Sequence, residues 1–129
     1  MNITSLTLAD NIYQDHRTGK YILSGVYHQI DVPEIPYRLP FLLRAYCAFE
    51  RPKNDCNIEF ILICEEDKTI LAGTDRFTPP EDDSIDFIQL DMEFPPIGIS
   101  IAGNYSIGVK LNGIVIKKAP FKIVFTNED

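Results

Sequence analysis

The residues of this chain with chemistry to offer are two histidines, three cysteines and a run of acids. A Cys/His nucleophilic site requires a thiolate beside an imidazole, which here means His16 or His28. His16 falls in the turn-forming segment Gln14-Asp-His-Arg-Thr-Gly19, and His28 closes an apolar stretch ahead of a proline-rich run. Cys47, Cys56 and Cys64 occupy inward positions of predicted strands, where a thiol acts as a small, inert hydrophobe. They are expected to be core thiols rather than nucleophiles.

The segment Glu81-Asp-Asp-Ser-Ile-Asp86 offers loop carboxylates to a hard cation such as calcium. It lacks the alternate ligand spacing and central glycine of an EF-hand loop, so a solvated loop is the expected role. Paired carboxylates for glycoside hydrolysis are defined by distance in space, which a sequence does not give. The usual aromatic platform for sugars is weak here, because the chain has no tryptophan. The sequence contains no Gly-x-Ser-x-Gly, phosphate loop, His-Glu-x-x-His or dinucleotide fingerprint. With no Cys-x-x-Cys, a zinc site of standard spacing is absent as well.

The elements that must position these groups read as short strands. Tyr105, Ile107, Val109 and Leu111 alternate with Ser106, Gly108 and Lys110, giving one apolar face. Asn112-Gly113 then supplies the two positive-φ residues of a type I′ turn. Ile114 and Ile116 match the inward face set by that turn, whereas Phe121, Ile123 and Phe125 have opposite parity; a bulge within Lys117 to Pro120 would reconcile them. Upstream, Ile3 to Ala9 forms a first strand with Leu6 and Leu8 inward. Lys20 to Tyr27 carries apolar residues on both faces, so it is expected to be central or covered. Pro33, Pro36 and Pro40 make a crossover between sheets.

Two segments dominate the middle. Phe41, Leu43, Ala45, Cys47 and Phe49 share one face of Phe41 to Glu50, and Cys56, Ile58, Phe60, Leu62 and Cys64 share one face of the next strand. A hairpin through a loop from Pro52 to Asp55 would set Phe49 against Ile58 and Cys47 against Phe60. Its outward face would then carry Leu42, Arg44 and Tyr46 opposite Ile61 and Ile63, with Tyr46 facing Ile61. An aromatic, an arginine and branched aliphatics on a wet face have the composition of an interface hot spot. The alternative is that the crossover or the first strand covers this face. A short strand near Thr69 to Ala72 and another from Ile85 to Phe94 complete the set. Seven to eight strands, nine prolines and no helical period predict an all-β, antiparallel two-sheet sandwich, with a closed barrel as the second choice.

Composition sets the outer bounds. At 129 residues the chain is one predicted domain, residues 1–129, able to bury roughly two-thirds of its unfolded surface. Twelve basic and nineteen acidic residues give a net charge of −7, which disfavours nucleic acid and anionic membranes as partners. Lys117, Lys118 and Lys122 form the one basic cluster and read as a solvated strand edge, where Lys118→Glu should change stability little. No apolar run approaches the roughly 18 residues of a membrane helix. An odd cysteine count without a signal-peptide pattern points to reduced thiols in a cytoplasm.

Ala9-Asp10, Gly19-Lys20-x-x-Leu23-x-Gly25, the prolines before Phe41 and the Gly103-x-Tyr105 hairpin ending in Pro120-Phe121 resemble a family of small, uncharacterised bacterial proteins. The resemblance implies an immunoglobulin-like sandwich and no activity, cofactor or catalytic residue. Two functional classes are then expected. The first is a non-catalytic protein-binding or scaffolding module of a bacterial cytoplasm, homodimerising through a sheet face in its simplest form. The alternative is a small-ligand binder or enzyme built from His28, Asp31, Glu34 and the acids at 81–86, with calcium-stabilised adhesion as a third possibility. The favoured reading has no cofactor and no metal.

Overall fold

Period-two alternation of apolar side chains becomes eleven strands in the computed structural model, which describes residues 2–53, 55–82 and 84–126. In chain order they are β1 (Ile3–Gln14), β2 (Tyr21–Val26), β3 (Gln29–Val32), β4 (Tyr37–Arg38), β5 (Arg44–Glu50) and β6 (Ile58–Cys64). Then follow β7 (Thr69–Gly73), β8 (Phe87–Glu93), β9 (Gly98–Ile99), β10 (Gly103–Leu111) and β11 (Ile114–Phe125). Three sheets result, ordered β2-β1-β5-β8, β3-β11-β10-β6-β7 and β4-β9. The described residues contain no helix. The all-β expectation holds, but eleven strands replace seven to eight and three sheets replace two. The unforeseen β3, β4 and β9 are two to four residues long, too short to display an alternation. One pairing is parallel: β3 runs beside β11, from Gln29 opposite Lys122 to Val32 opposite Phe125.

The closing hairpin folds as its turn dictates. Asn112 and Gly113 take φ of 50° and 84°, and Leu111 pairs with Ile114 across them. The bulge is real but lies earlier than expected. Val109 pairs with Lys117 and Lys110 with Val115, which leaves Ile116 as the extra residue. Ile114 and Ile116 are exposed rather than inward, because this end of the hairpin runs past the core.

Leu43, Ala45, Cys47 and Phe49 are buried, as are Cys56, Ile58, Phe60, Leu62 and Cys64, so both inward faces match the sequence reading. Phe41 precedes β5 and is exposed, contrary to expectation. The central hairpin is also overturned. β5 lies between β1 and β8, with Cys47 beside Leu6 and Leu90, whereas β6 lies between β10 and β7. The link between them therefore crosses from one sheet to the other; Asn54 of that link lies outside the described residues. Inward residues of two strands have the same parity whether the strands pair in one sheet or face each other across a core. Alternation alone does not distinguish these cases. The apolar faces of both larger sheets contribute to one core cluster, in which Phe49, Phe94 and Tyr105 are the bulkiest fully buried side chains. Burying each such side chain favours folding by about 1.5–3 kcal/mol.

β1 runs five residues beyond its expected end and pairs there with β2. The ladder between them is interrupted at Asp10 and Gly25, where Gly25 takes φ of 73°. A Cβ there would collide with the Asp10 carboxylate, so the position needs glycine twice over. Beyond this point the hairpin bends. Tyr21 lies opposite Gln14 and Tyr46 lies opposite Thr7, yet the two rings are 5.3 Å apart. A straight β1 would separate Thr7 from Gln14 by about 23 Å, further than two tyrosine side chains reach. The β1–β2 arm thus folds over the outer face of the sheet containing β5. β2 is an edge strand rather than a central one, and its Ile22 and Val26 are exposed.

Candidate functional site

The five residues expected to form one interaction face are divided between two sheets. Ala45 and Cys47 point into the core, so Arg44 and Tyr46 project from the opposite face of β5, with Leu42 just ahead of the strand. Ile61 and Ile63 belong to β6, in the other large sheet. Tyr46 neighbours Thr7 and Asp91, and Arg44 neighbours Ala9 and Glu93; the expected pairing with Ile61 and Ile63 does not occur.

On the β5 face, polar contacts hold the side chains in place. The Arg44 guanidinium lies 3.2 Å from a Glu93 carboxylate oxygen and donates to Asn11 Oδ1 at 3.3 Å. The Tyr46 hydroxyl donates to Gln89 Oε1 at 2.8 Å while its ring packs against Tyr21 of the arm. Leu42 and Arg44 also line a cleft of about 380 Å³ with Asp10, Asn11, Tyr27 and Phe41. Burial, then the Asp10 charge, pushes the Tyr27 hydroxyl up to about 12, so it remains a neutral donor near pH 7. Tyr21 of β2, carried on the β1–β2 arm, lies over part of this face, whereas β1 itself lies beside β5 in the sheet.

Ile61 and Ile63 are each only 6% exposed. They close over Gly108, where an added Cβ would stand 3.2 Å from Ile61 Cγ1 and 3.3 Å from Ile63 Cδ1. Lys118, opposite Gly108 on β11, reaches across β10 to Glu65 at 3.0 and 3.2 Å. The bridge spans the outward face of β10, since β10 lies between β11 and β6. There Ser106 Oγ is buried without a hydrogen-bond partner. This side of the molecule is closed by its own chain and presents little of either isoleucine to a partner.

The residues considered for chemistry are scattered. His28 follows β2, Asp31 accepts from Gln29 at 2.9 Å, and Asp82 Oδ1 accepts from the Ser84 amide and hydroxyl at 3.0 and 2.7 Å. Those bonds from Ser84 hold the Asp82 carboxyl below the usual carboxylate range. Asp83 lies outside the described residues. Among the described residues, no three His, Cys, Asp or Glu side chains are grouped to hold a metal. All three thiols are buried, and burial pushes Cys47 up to about 12, away from thiolate character.

A groove that sequence reasoning missed lies between two strand edges. It holds about 390 Å³ and is lined by residues 3–8 of β1, Tyr27, His28, and residues 117–120 of β11. The hydrogen-bond parity of each strand shows which backbone groups face it. The Lys122 amide donates to His28 C=O at 2.9 Å, on the side of β11 where β3 lies. Alternation then aims the Lys118 N–H and C=O and the Pro120 C=O at the same side, beyond the start of β3. Pro120 sits where its missing N–H costs the sheet no bond. On β1, Leu8 C=O accepts from Tyr27 N–H at 3.3 Å, so the Leu6 backbone points to that edge too, where β2 does not pair. Besides Tyr27, the ionisable lining side chains are His28, Lys117 and Lys118, and no carboxylate is among them. The signal available in the sequence was the Lys-Lys-Ala-Pro run itself, whose proline marks an edge. Locating the facing edge required the fold.

Among the described residues, no helix is long and apolar enough to cross a membrane. A comparison with curated proteins returns no match. The model of a family of unknown function, DUF6941, matches residues 4–124, and the chain belongs to that family.

Proposed function

We propose that this chain is a non-catalytic protein-binding or scaffolding module of a bacterial cytoplasm. The observation that carries this reading is the pair of unpaired strand edges, β1 and β11, facing one groove with free ladder groups of both. Unpaired edges are templates for another chain, and their peptide groups bind without chemistry at any side chain. The half-covered face around Arg44 and Tyr46 is the second contact surface, and self-association through it is the simplest version.

We read the fold as an immunoglobulin-like sandwich. In that scheme β1, β5 and β8 take the places of strands A, B and E, and β6, β7, β10 and β11 those of C, C′, F and G. Tyr105 supports the reading: its hydroxyl donates back to Ile101 C=O at 2.6 Å, as in a tyrosine corner. Cys47 on β5 and Ile107 on β10 occupy the buried positions that antibody domains join by a disulfide. This chain carries one of those two cysteines.

The test is capture from the native host with the wild-type chain and with a Lys117→Glu, Lys118→Glu double variant, alongside sedimentation of both. A partner, or a dimer, reduced by the variant or by Tyr46→Glu supports binding as the function. A wild-type chain that stays monomeric at millimolar concentration and retains no protein would overturn it.

A further inference from the structure

We infer that the groove between β1 and β11 takes a short acidic peptide segment in extended conformation, added as a strand to the free edge of β11. The inference rests on the protein-binding reading above and names the site and the chemistry of the partner. Three observations converge on it. Among the described residues, 117–120 of β11 have β10 on one side and no paired strand on the other, since β3 pairs only from Lys122 onward. The Lys118 N–H and C=O and the Pro120 C=O therefore stand open in a row, collinear with β3, which already occupies the remainder of that edge. Four residues of edge span about 13 Å, room for a guest strand of four or five residues.

Charge selects the guest. The chain has a net charge of −7, yet the groove contains His28, Lys117 and Lys118 and no carboxylate. Lys118 is already engaged by Glu65, which leaves Lys117 as the cation of the groove free to meet a guest side chain. Glutamate or aspartate beside Lys117 would gain an opposite charge, whereas lysine or arginine there would meet repulsion. The partly buried apolar side chain of Leu6 on the opposite wall suits an aliphatic residue next to the acid.

The experiment uses the full ¹⁵N-labelled chain and three capped hexapeptides: alternating valine and glutamate, alternating valine and lysine, and the glutamate peptide N-methylated at every second residue. The expected result is amide shifts confined to β1 and residues 117–120, with slowed exchange of the Lys118 amide. The glutamate peptide should bind at least ten-fold more tightly than the other two, and Lys117→Glu should weaken it by a similar factor. Equal binding of both charges, indifference to N-methylation, or shifts elsewhere would each overturn the proposal. So would the absence of any shift at millimolar peptide. A dimer in which Lys118 is protected without peptide would overturn it in favour of a second copy on this edge. That outcome would leave the protein-binding reading intact, so the two failures are distinguishable.

Discussion

Tyr21 and Tyr46 pack with ring centroids 5.3 Å apart and planes tilted by 55°, fastening the β1–β2 arm to the sheet beneath it. The contact joins residues on strands that do not pair with each other, and it is what turns an extended hairpin into a cover. The outer side of the arm still exposes Tyr13 (54%) and Ile22 (51%), a directly opposed pair.

Truncating Tyr21 to alanine should therefore release the arm without unfolding the core. Aromatic pairs of this kind contribute about 0.5–1.5 kcal/mol beyond their buried area. A double-mutant cycle of Tyr21→Ala and Tyr46→Ala in urea should give a coupling of that size. Hydrogen exchange should accelerate in residues 11–24 and stay unchanged in β10. Uniform acceleration would show that the arm and core are one cooperative unit.

Gly25→Ala should destabilise the chain by about 1–3 kcal/mol, through a positive φ and the Asp10 carboxylate standing in the way. Adding Asp10→Ala removes the collision with the carboxylate but leaves its Cβ 3.0 Å away and the φ strained. The double variant should accordingly be more stable than the sum of the two single changes implies, as read from denaturant midpoints.

Two core changes test the inward faces. Phe60→Ala should cost roughly 3–5 kcal/mol by opening a cavity. Tyr105→Phe should cost about 1–3 kcal/mol, since it orphans the Ile101 carbonyl beside a buried ring. Thermal or urea unfolding measures both, and a near-neutral Phe60→Ala would show that β6 has its faces reversed.

Lys118→Glu is no longer expected to be neutral, because it places a carboxylate against Glu65 in place of an ammonium 3.0 Å away. A loss of about 1 kcal/mol is the appropriate scale for a partly exposed pair. The hydrogen bond from Lys118 holds the Glu65 carboxyl below its ordinary value of 4.5. A lowered carboxyl pKa contributes stability that is fully present above that ordinary value and fades as pH drops through the folded one. Lys118→Met should therefore flatten the loss of stability as pH falls below that ordinary value. An unchanged slope there would remove the pair as a contributor.

The thiols should react slowly with a disulfide reagent in the native state and fully in denaturant, with no pH-dependent burst below pH 9. Cys47 is raised from 9.0 to about 12, so the folded form favours the neutral thiol. That contribution is complete below the unfolded pKa and is lost as pH climbs towards the folded one. Cys47→Ala, compared with wild type between pH 9 and 12, should lessen the alkaline loss of stability.

What the sequence determined by itself was local. Alternation marked the inward sides of β5, β6 and β10, the Asn112-Gly113 turn set the last hairpin, and Cys47, Cys56 and Cys64 were legible as core thiols. These features depend on side-chain period and backbone φ, which neighbouring residues encode. The tertiary structure decided which strands became neighbours. It separated Tyr46 from Ile61, brought Tyr21 down onto Tyr46, carried Lys118 across to Glu65 and set β1 opposite the free edge of β11. A period of two records the side on which a residue lies but not the strand beside it. Partner choice is fixed by packing between segments tens of residues apart, and the candidate site arises from that choice.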